Sequence, residues 1–263
     1  MNFPEEPSKE PNCSDNESNE TNKVQLYVEE RARKYGRKVT DWQVGLGENA
    51  PSIKRVLEYY NDLKSKRVLE IGCGTGGVLK LLGDLGAEGF GVDPDRKALH
   101  ILRSRLPVPI NPTVIVAVGE ELPFIESTFN LVLVINVLEH CKSVDKLIEE
   151  SLNILRQHGR LVLVYPNYLS LYEPHYGMRL PLPFKRLTRM YLRFRGRDPS
   201  FFDSLNFTSP LMIRRLLKKY KAKIDSFPTT FTTPKALLIR KLHLPKRISE
   251  LMYRNITMIV EKD

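Results

Sequence analysis

Cysteine is scarce in this chain. Of its 263 residues only Cys13, Cys73 and Cys141 are cysteines, and they lack the spacing of a metal site and cannot all pair with one another. That excludes a disulfide framework and a cysteine-built metal centre, and predicts thiols in a reducing compartment with no metal bound. Long apolar runs are also missing. The longest, Leu131 to Leu138, has Asn136 inside it and falls far short of the ~20 residues a bilayer span needs. No basic-then-apolar leader opens the sequence, so a cytoplasmic protein is expected. Tryptophan occurs once, at Trp42. Acids are sparse late in the chain: Arg179 to Arg254 holds nineteen Lys and Arg against four Asp and Glu, within a formal net charge of +10. That part is either well solvated or turned towards an anionic neighbour.

What is present suits one α/β domain with additions, since 41% hydrophobic residues can build a sizeable core. Residues 1–22 carry Pro4, Pro7 and Pro11 among Asn, Glu and Ser, with too little apolar surface to offset the entropy of ordering. They are expected to be a disordered acidic tail. Residues 23–263 then form a single domain, with a cofactor-binding core over 64–165, a helical insertion over 168–207 and a basic C-terminal part over 208–263.

The core is organised around Val68 to Gly77. The run Val68-Leu69-Glu70-Ile71 breaks into glycines, and Val78, Leu79, Leu81 and Leu82 follow at helical spacing, so the stretch reads as strand, tight turn and helix. Gly72, Gly74 and Gly76 let the backbone take positive φ and approach a ligand, next to the free N–H groups of a helix start. The match to Gly-x-Gly-x-x-Gly at Gly72, Gly74 and Gly77 would by itself also allow a dinucleotide. About twenty residues on, Gly89 to Val92 reads as a strand ending at Asp93, a carboxylate placed to accept hydrogen bonds from ribose hydroxyls.

Leu69-Glu70-Ile71-Gly72-Cys73-Gly74-Thr75-Gly76 resembles the first motif of class I S-adenosylmethionine-dependent methyltransferases. The blocks Glu120-Glu121-Leu122-Pro123-Phe124 and Phe129 to His140 resemble the stretch of that family running from the adenine pocket into the fourth strand. Within that family the chain resembles the small-molecule type, like the methyltransferases of ubiquinone and menaquinone biosynthesis. The resemblance covers Val68 to Tyr165 well and the last strands loosely. It implies a Rossmann-like, doubly wound, seven-stranded mostly parallel sheet with helices on both faces and a helical cap. It also implies S-adenosylmethionine as cofactor, touched by Glu70, Gly72, Cys73, Gly74, Gly76, Asp93, Pro94, Gly119, Glu120 and Asn136. In this family an acid at the Glu70 position helps to hold the methionine amino group. One departure stands out: many relatives have an acid where this chain has Val118, which leaves adenine to the backbone around Gly119 and Glu120.

The alternation of strand and helix after the glycine turn fits a parallel sheet: Gly89 to Val92, Arg96 to Arg105, Thr113 to Val118, Leu131 to Ile135, Val144 to Arg156 and Arg160 to Val164. Helices are also expected over Val24 to Tyr35, Ile53 to Leu63 and Pro210 to Tyr220, the last with Leu211, Ile213, Leu216 and Leu217 inward. Ala222 to Phe227 and Asn255 to Glu261 read as the last strands, joined by a basic connection from Thr229 to Tyr253. Tyr165-Pro166-Asn167-Tyr168 superficially resembles the Asn-Pro-Pro-Tyr motif of amino-directed nucleic-acid methyltransferases, but its order is wrong and it follows the fifth strand rather than the fourth.

Past the fifth strand, Tyr172, His175 and Tyr176 sit together, and His175 is the candidate base if the acceptor is a hydroxyl, with Tyr172 beside it. A structural role for either is the competing reading. Three functions remain open: transfer to a small, lipid-linked or sugar-containing acceptor; an RNA methyltransferase, which the basic part permits; or a non-catalytic cofactor-binding protein. An anionic membrane surface is the partner the late Lys and Arg would suit.

Overall fold

The computed structural model describes residues 57, 60, 62–106, 112–173, 176–181, 184–220, 222–228, 241–242 and 245–262. The expected tail over 1–22, the helix over Val24 to Tyr35, Trp42, most of the helix over Ile53 to Leu63, and His175 lie outside these residues. So does much of the connection from Thr229 to Tyr253.

β1 (Arg67–Ile71) is an apolar run stopped by Gly72, and α1 (Gly77–Asp84) follows with Val78, Leu79 and Leu82 on one buried face. β2 (Glu88–Val92) ends at Asp93, after which Asp95 caps α2 (Arg96–Arg105) by accepting from the Lys97 and Ala98 amides. β3 (Thr113–Ile115) is short; Val116 and Val118, expected to continue it, leave the sheet and are exposed. β4 (Phe129–Ile135) is largely buried and is followed by α3 (Val144–Asn153), capped by Ser143, whose side chain accepts from the Lys146 amide. β5 (Leu155–Pro166) leads into the insertion, which holds the hairpin β6 (Tyr172–Glu173) and β7 (Met178–Arg179), then α4 (Lys185–Phe194) and α5 (Ser200–Asp203). α6 (Pro210–Leu217), β8 (Lys223–Pro228), α7 (Lys246–Glu250) and β9 (Asn255–Glu261) complete the described chain.

The seven-stranded sheet has the order β3-β2-β1-β4-β5-β9-β8, parallel except where β9 runs against both its neighbours. This is the doubly wound fold expected. Side chains alternate across it, so Leu69, Ile71, Val132 and Val134 meet Leu147 and Ile148 of α3 and Ile213 and Leu217 of α6 on one face. Val68, Leu131, Leu133 and Val162 meet Leu79 and Leu82 of α1 and Leu99 and Leu102 of α2 on the other.

Two boundaries differ from expectation for physical reasons. The helix expected to reach Arg156 stops at Asn153, because the Ile154 carbonyl already accepts from the Thr128 and Phe129 amides at 2.7 and 2.9 Å. Leu155 then pairs with Phe129, and β5 begins five residues before the expected Arg160. Ile154 and Leu155 are buried, so the apolar periodicity runs on through the change of structure. In α6, Leu211 faces outward and is 56% exposed, while Ile213 and Leu217 are buried as expected; two residues before Ile213, Leu211 falls on the opposite side of the helix.

Candidate functional site

In the sheet order, β1 leads to β2 and β3 on one side, whereas the chain restarts with β4 on the other. β1 and β4 therefore flank the point where an open parallel sheet leaves a crevice at its carboxyl edge. Ile71 pairs with Val92 and with Val134, so the glycine turn, Asp93 and Asn136 leave the sheet side by side. The Gly72 and Cys73 amides both donate to the Val92 carbonyl, at 2.7 and 3.1 Å, which fixes the turn against the end of β2.

The three glycines of the turn have positive φ, but for different reasons. A Cβ on Gly72 would lie 2.4 Å from Val137, and one on Gly76 would lie 2.7 Å from Leu102, so these two admit close packing of the protein on itself. A Cβ on Gly74 would meet nothing within 4 Å. Gly74 is thus where backbone faces open space, beside the start of α1, which no side chain caps.

Asp93 holds this arrangement together: one carboxylate oxygen accepts from the Gly74 amide at 2.9 Å and the other from the Asp95 amide at 2.8 Å. Pro94 lies exposed between them. Glu70 is buried at the end of β1, and its Oε2 has no hydrogen-bond partner among the described residues. Burial, and then the neighbouring Asp93, push its carboxyl well above the ordinary value. The Cys73 thiol is also held well above its usual range, by burial first and then by Glu70 and Asp93, which leaves it an inert packing group.

A pH prediction follows from Glu70. Its folded-state pKa is raised, so the folded chain keeps the proton after the unfolded chain has lost it, and stability falls as pH rises from 4.5 towards the folded value. Glu70→Gln is expected to raise the melting temperature of the ligand-free protein, by an increment that is small near pH 4.5 and grows as pH rises towards the folded value. Melting curves across that range check it; an increment independent of pH would contradict it.

The other residues expected at the cofactor reach the same edge. Gly119 is buried, and a Cβ there would press on Leu147 at 2.7 Å and Ile71 at 2.9 Å, so its glycine serves packing beneath the turn. The Glu120 side chain is engaged: its Oε1 accepts from the Lys142 amide at 2.6 Å and the Ser143 amide at 3.3 Å, tying this loop to the start of α3. Asn136 takes φ +54 and donates its amide to the Val164 carbonyl at 2.8 Å. Among the described residues no cluster of His, Cys, Asp or Glu is arranged to hold a metal ion.

Sequence reasoning missed how the insertion is held to this edge. The Asn206 amide donates to the Glu139 carbonyl, and its side-chain nitrogen to the carbonyls of Leu138 and Cys141 at 3.0 and 2.7 Å, so the insertion returns to the turn after β4. Asn167, at the exit of β5, is fully buried and donates to the carbonyls of Glu250, Leu251 and Tyr253 at 3.1, 3.1 and 2.8 Å. The only sequence signal for either was an Asn where the chain leaves or re-enters the core. Tyr172 is half-buried in β6 with the Arg254 guanidinium 3.8 Å from its ring centre. The neighbouring Glu173 is fully buried and accepts from the Tyr168 hydroxyl and the Tyr176 amide, which fixes the hairpin.

The sequence profile of a family described as a methyltransferase domain matches residues 69–163, the stretch from β1 to β5 that builds this edge. Those residues are a class I methyltransferase domain. The cofactor of such a domain is S-adenosylmethionine.

Relatives agree with this assignment. A Mycobacteroides abscessus protein named as an uncharacterised methyltransferase is 30% identical over 140 residues, 52% of this chain and 54% of that protein. A demethylmenaquinone methyltransferase of Tropheryma whipplei is 29% identical over 141 residues, 53% of this chain and 57% of that protein. The chain thus spans about half the length of the curated relatives it matches. Among solved structures, an S-adenosylmethionine-dependent methyltransferase of Thermotoga maritima superposes with a TM-score of 0.57 at 18% identity, covering 93% of this chain and all (100%) of that one. One from Mesorhizobium loti gives 0.57 at 16% identity, covering 83% and 100%. Both carry the fold described above.

Proposed function

We propose that this chain is a methyltransferase that moves the methyl group of S-adenosylmethionine to a small-molecule acceptor, lipid-linked or sugar-containing, by in-line displacement. The observation that carries the reading is the pairing, at the switch point of the sheet, of open backbone at Gly74 with the buried Glu70 carboxyl whose Oε2 has no hydrogen-bond partner among the described residues. Together they fit a group with a polar, cationic end: Glu70 would receive the amino group, and the turn Gly72-Cys73-Gly74 with Gly76 the methionine portion. Asp93 and Pro94 would take the ribose side, the backbone of Gly119 and Glu120 the adenine, and Asn136 would border the reacting end.

When bound, the cofactor supplies a sulfonium-activated methyl group, so the protein's task is to hold the acceptor near and aligned and to exclude water. The insertion supports that role by its attachment to the ends of β4 and β5, beside the glycine turn. For a hydroxyl acceptor, His175 would take the proton, with Tyr172 orienting the acceptor.

Asp93→Ala is expected to weaken S-adenosylmethionine binding by about 1 to 3 kcal/mol, the worth of one or two hydrogen bonds. It should also lower stability, because the Gly74 and Asp95 amides lose their acceptor. Calorimetry checks both, and tighter binding of NAD than of S-adenosylmethionine would overturn the cofactor assignment. The acceptor class is tested by incubating the protein with cell extract and labelled cofactor. Label in a small or lipid-linked product supports the reading; label in RNA, or binding without any labelled product, replaces it.

A further inference from the structure

The insertion carries a helix with more apolar surface than the fold uses. In α4, Thr188 and Leu192 face inward and are fully buried, Leu192 packing with Tyr168, Leu180, Phe202 and Leu205. Leu187, Met190 and Phe194 recur at three- and four-residue spacing on a different side of the same helix and are 41%, 65% and 86% exposed. Phe184, at the N-cap, extends the stripe and is 59% exposed. Four large apolar side chains lined up in water are not accounted for by folding.

The charge beside the stripe is of one sign. From Lys185 to Arg197 there are six Lys and Arg and no acid. Lys185 and Arg189 are engaged with Asp203, through its carbonyl and its carboxylate. Arg186, Arg193 and Arg197 are exposed and make no ion pair among the described residues. Viewed down its axis, α4 shows a narrow buried strip, a basic sector and an exposed apolar sector. The helix is also closed cleanly: the Arg197 amide donates to the Leu192 carbonyl at 2.8 Å and the Gly196 amide to the Arg193 carbonyl at 2.9 Å, with Gly196 at φ +65. The stripe therefore belongs to a helix with a defined end.

We infer that α4 docks on an anionic lipid bilayer, with Phe184, Leu187, Met190 and Phe194 entering the interface and Arg186, Arg193 and Arg197 meeting the headgroups. An apolar stripe bordered by arginines is the pattern of a helix lying in the membrane plane. Nucleic acid would satisfy the arginines and leave the stripe in water; a second protein chain would cover the stripe but needs an acidic rim to answer the charge. The sequence pointed to the late basic connection, Thr229 to Tyr253, as the surface-facing part; much of it lies outside the described residues, and α4 offers a separate surface of that kind. The inference goes beyond methyl transfer and does not depend on it, because it is read from binding alone.

The test is flotation of the full chain with vesicles of phosphatidylcholine alone and of phosphatidylcholine mixed with phosphatidylglycerol, at low salt. Binding is expected to the mixed vesicles only. It should fall roughly tenfold in Met190→Gln/Phe194→Gln and by a similar factor in Arg186→Gln/Arg193→Gln. Melting temperatures should stay unchanged, since all four side chains are exposed. Binding equal on both vesicles, or absent from both, would overturn the inference. So would a dimer that dissociates in Met190→Gln/Phe194→Gln, or retention on RNA that Arg186→Gln/Arg193→Gln removes while vesicle binding persists.

Discussion

Gly74→Val is expected to abolish binding of S-adenosylmethionine while leaving the fold nearly intact. Gly74 sits at φ +52, and a Cβ there would meet nothing within 4 Å, so the new side chain would not collide with the protein. It would stand in the space that the backbone opens to the ligand. The cost to the fold is the left-handed conformation forced on a branched residue, about 1 to 2 kcal/mol. That corresponds to roughly 2 to 8 °C in melting temperature for a domain of this size. Binding should fall at least about a hundredfold, beyond ordinary detection, because a methyl-bearing Cβ cannot share the volume of a ligand in backbone contact. The neighbouring glycines provide the contrast. Gly72→Ala and Gly76→Ala would press on Val137 and Leu102 at 2.4 and 2.7 Å, and should lower stability more than Gly74→Val does. Calorimetry with the cofactor and thermal melts of the three variants separate these outcomes. Normal affinity in Gly74→Val would place the ligand elsewhere.

The legible parts of this protein are those where one local rule decides the structure. Gly72, Gly74 and Gly76 after an apolar strand, Asp95 ahead of Arg96 and Ser143 ahead of Val144 are such places, and the structure has a turn or a helix start at each. The sheet followed, because Leu69, Val92, Val132 and Leu163 lie in runs short enough to be strands and apolar enough to be buried on both faces. Legibility failed where long-range bonds outvote local pattern. Leu155 is as apolar as a helix would want, and only its pairing with Phe129 makes it strand. Leu211 was expected inward on its apolarity alone, yet it stands two residues before Ile213 and so on the opposite side of the helix, in solvent. Gly119 and Glu120 read as ligand contacts, and the pattern gave no sign of what they also do for the fold, one packing against Leu147 and the other tying its loop to the Lys142 amide. In α4 the sequence shows apolar and basic residues interleaved; which apolar ones turn inward depends on Tyr168 and Phe202, far away in the chain.

Asn167→Ala is expected to be among the most destabilising single changes outside the apolar core, and to leave cofactor affinity unchanged. Asn167 stands where β5 gives way to the insertion, fully buried. Its Nδ2 reaches three carbonyls between Glu250 and Tyr253, its Oδ1 accepts from the Leu169 amide at 3.1 Å, and its own amide donates to the Arg254 carbonyl at 2.7 Å. Alanine keeps only the last of these. The carbonyls and the Leu169 amide would then lose their partner where Asn167 is buried, each unsatisfied group costing about 1 to 3 kcal/mol before relaxation. A net loss of about 3 kcal/mol, or roughly 6 to 12 °C in melting temperature, is the expected result. Asn167→Asp should be at least as harmful, since it turns a carboxylate towards the same carbonyls. The glycine turn, Asp93 and Glu70 touch none of these partners, so calorimetry well below the melting point should find S-adenosylmethionine binding intact. A catalytic asparagine would show the reverse, with turnover lost and melting unchanged. That outcome would restore the reading in which Tyr165-Pro166-Asn167-Tyr168 acts on an amino group of a nucleic acid, against a geometry in which both polar atoms of the Asn167 side chain are already bonded, Nδ2 to the carbonyls between Glu250 and Tyr253 and Oδ1 to the Leu169 amide.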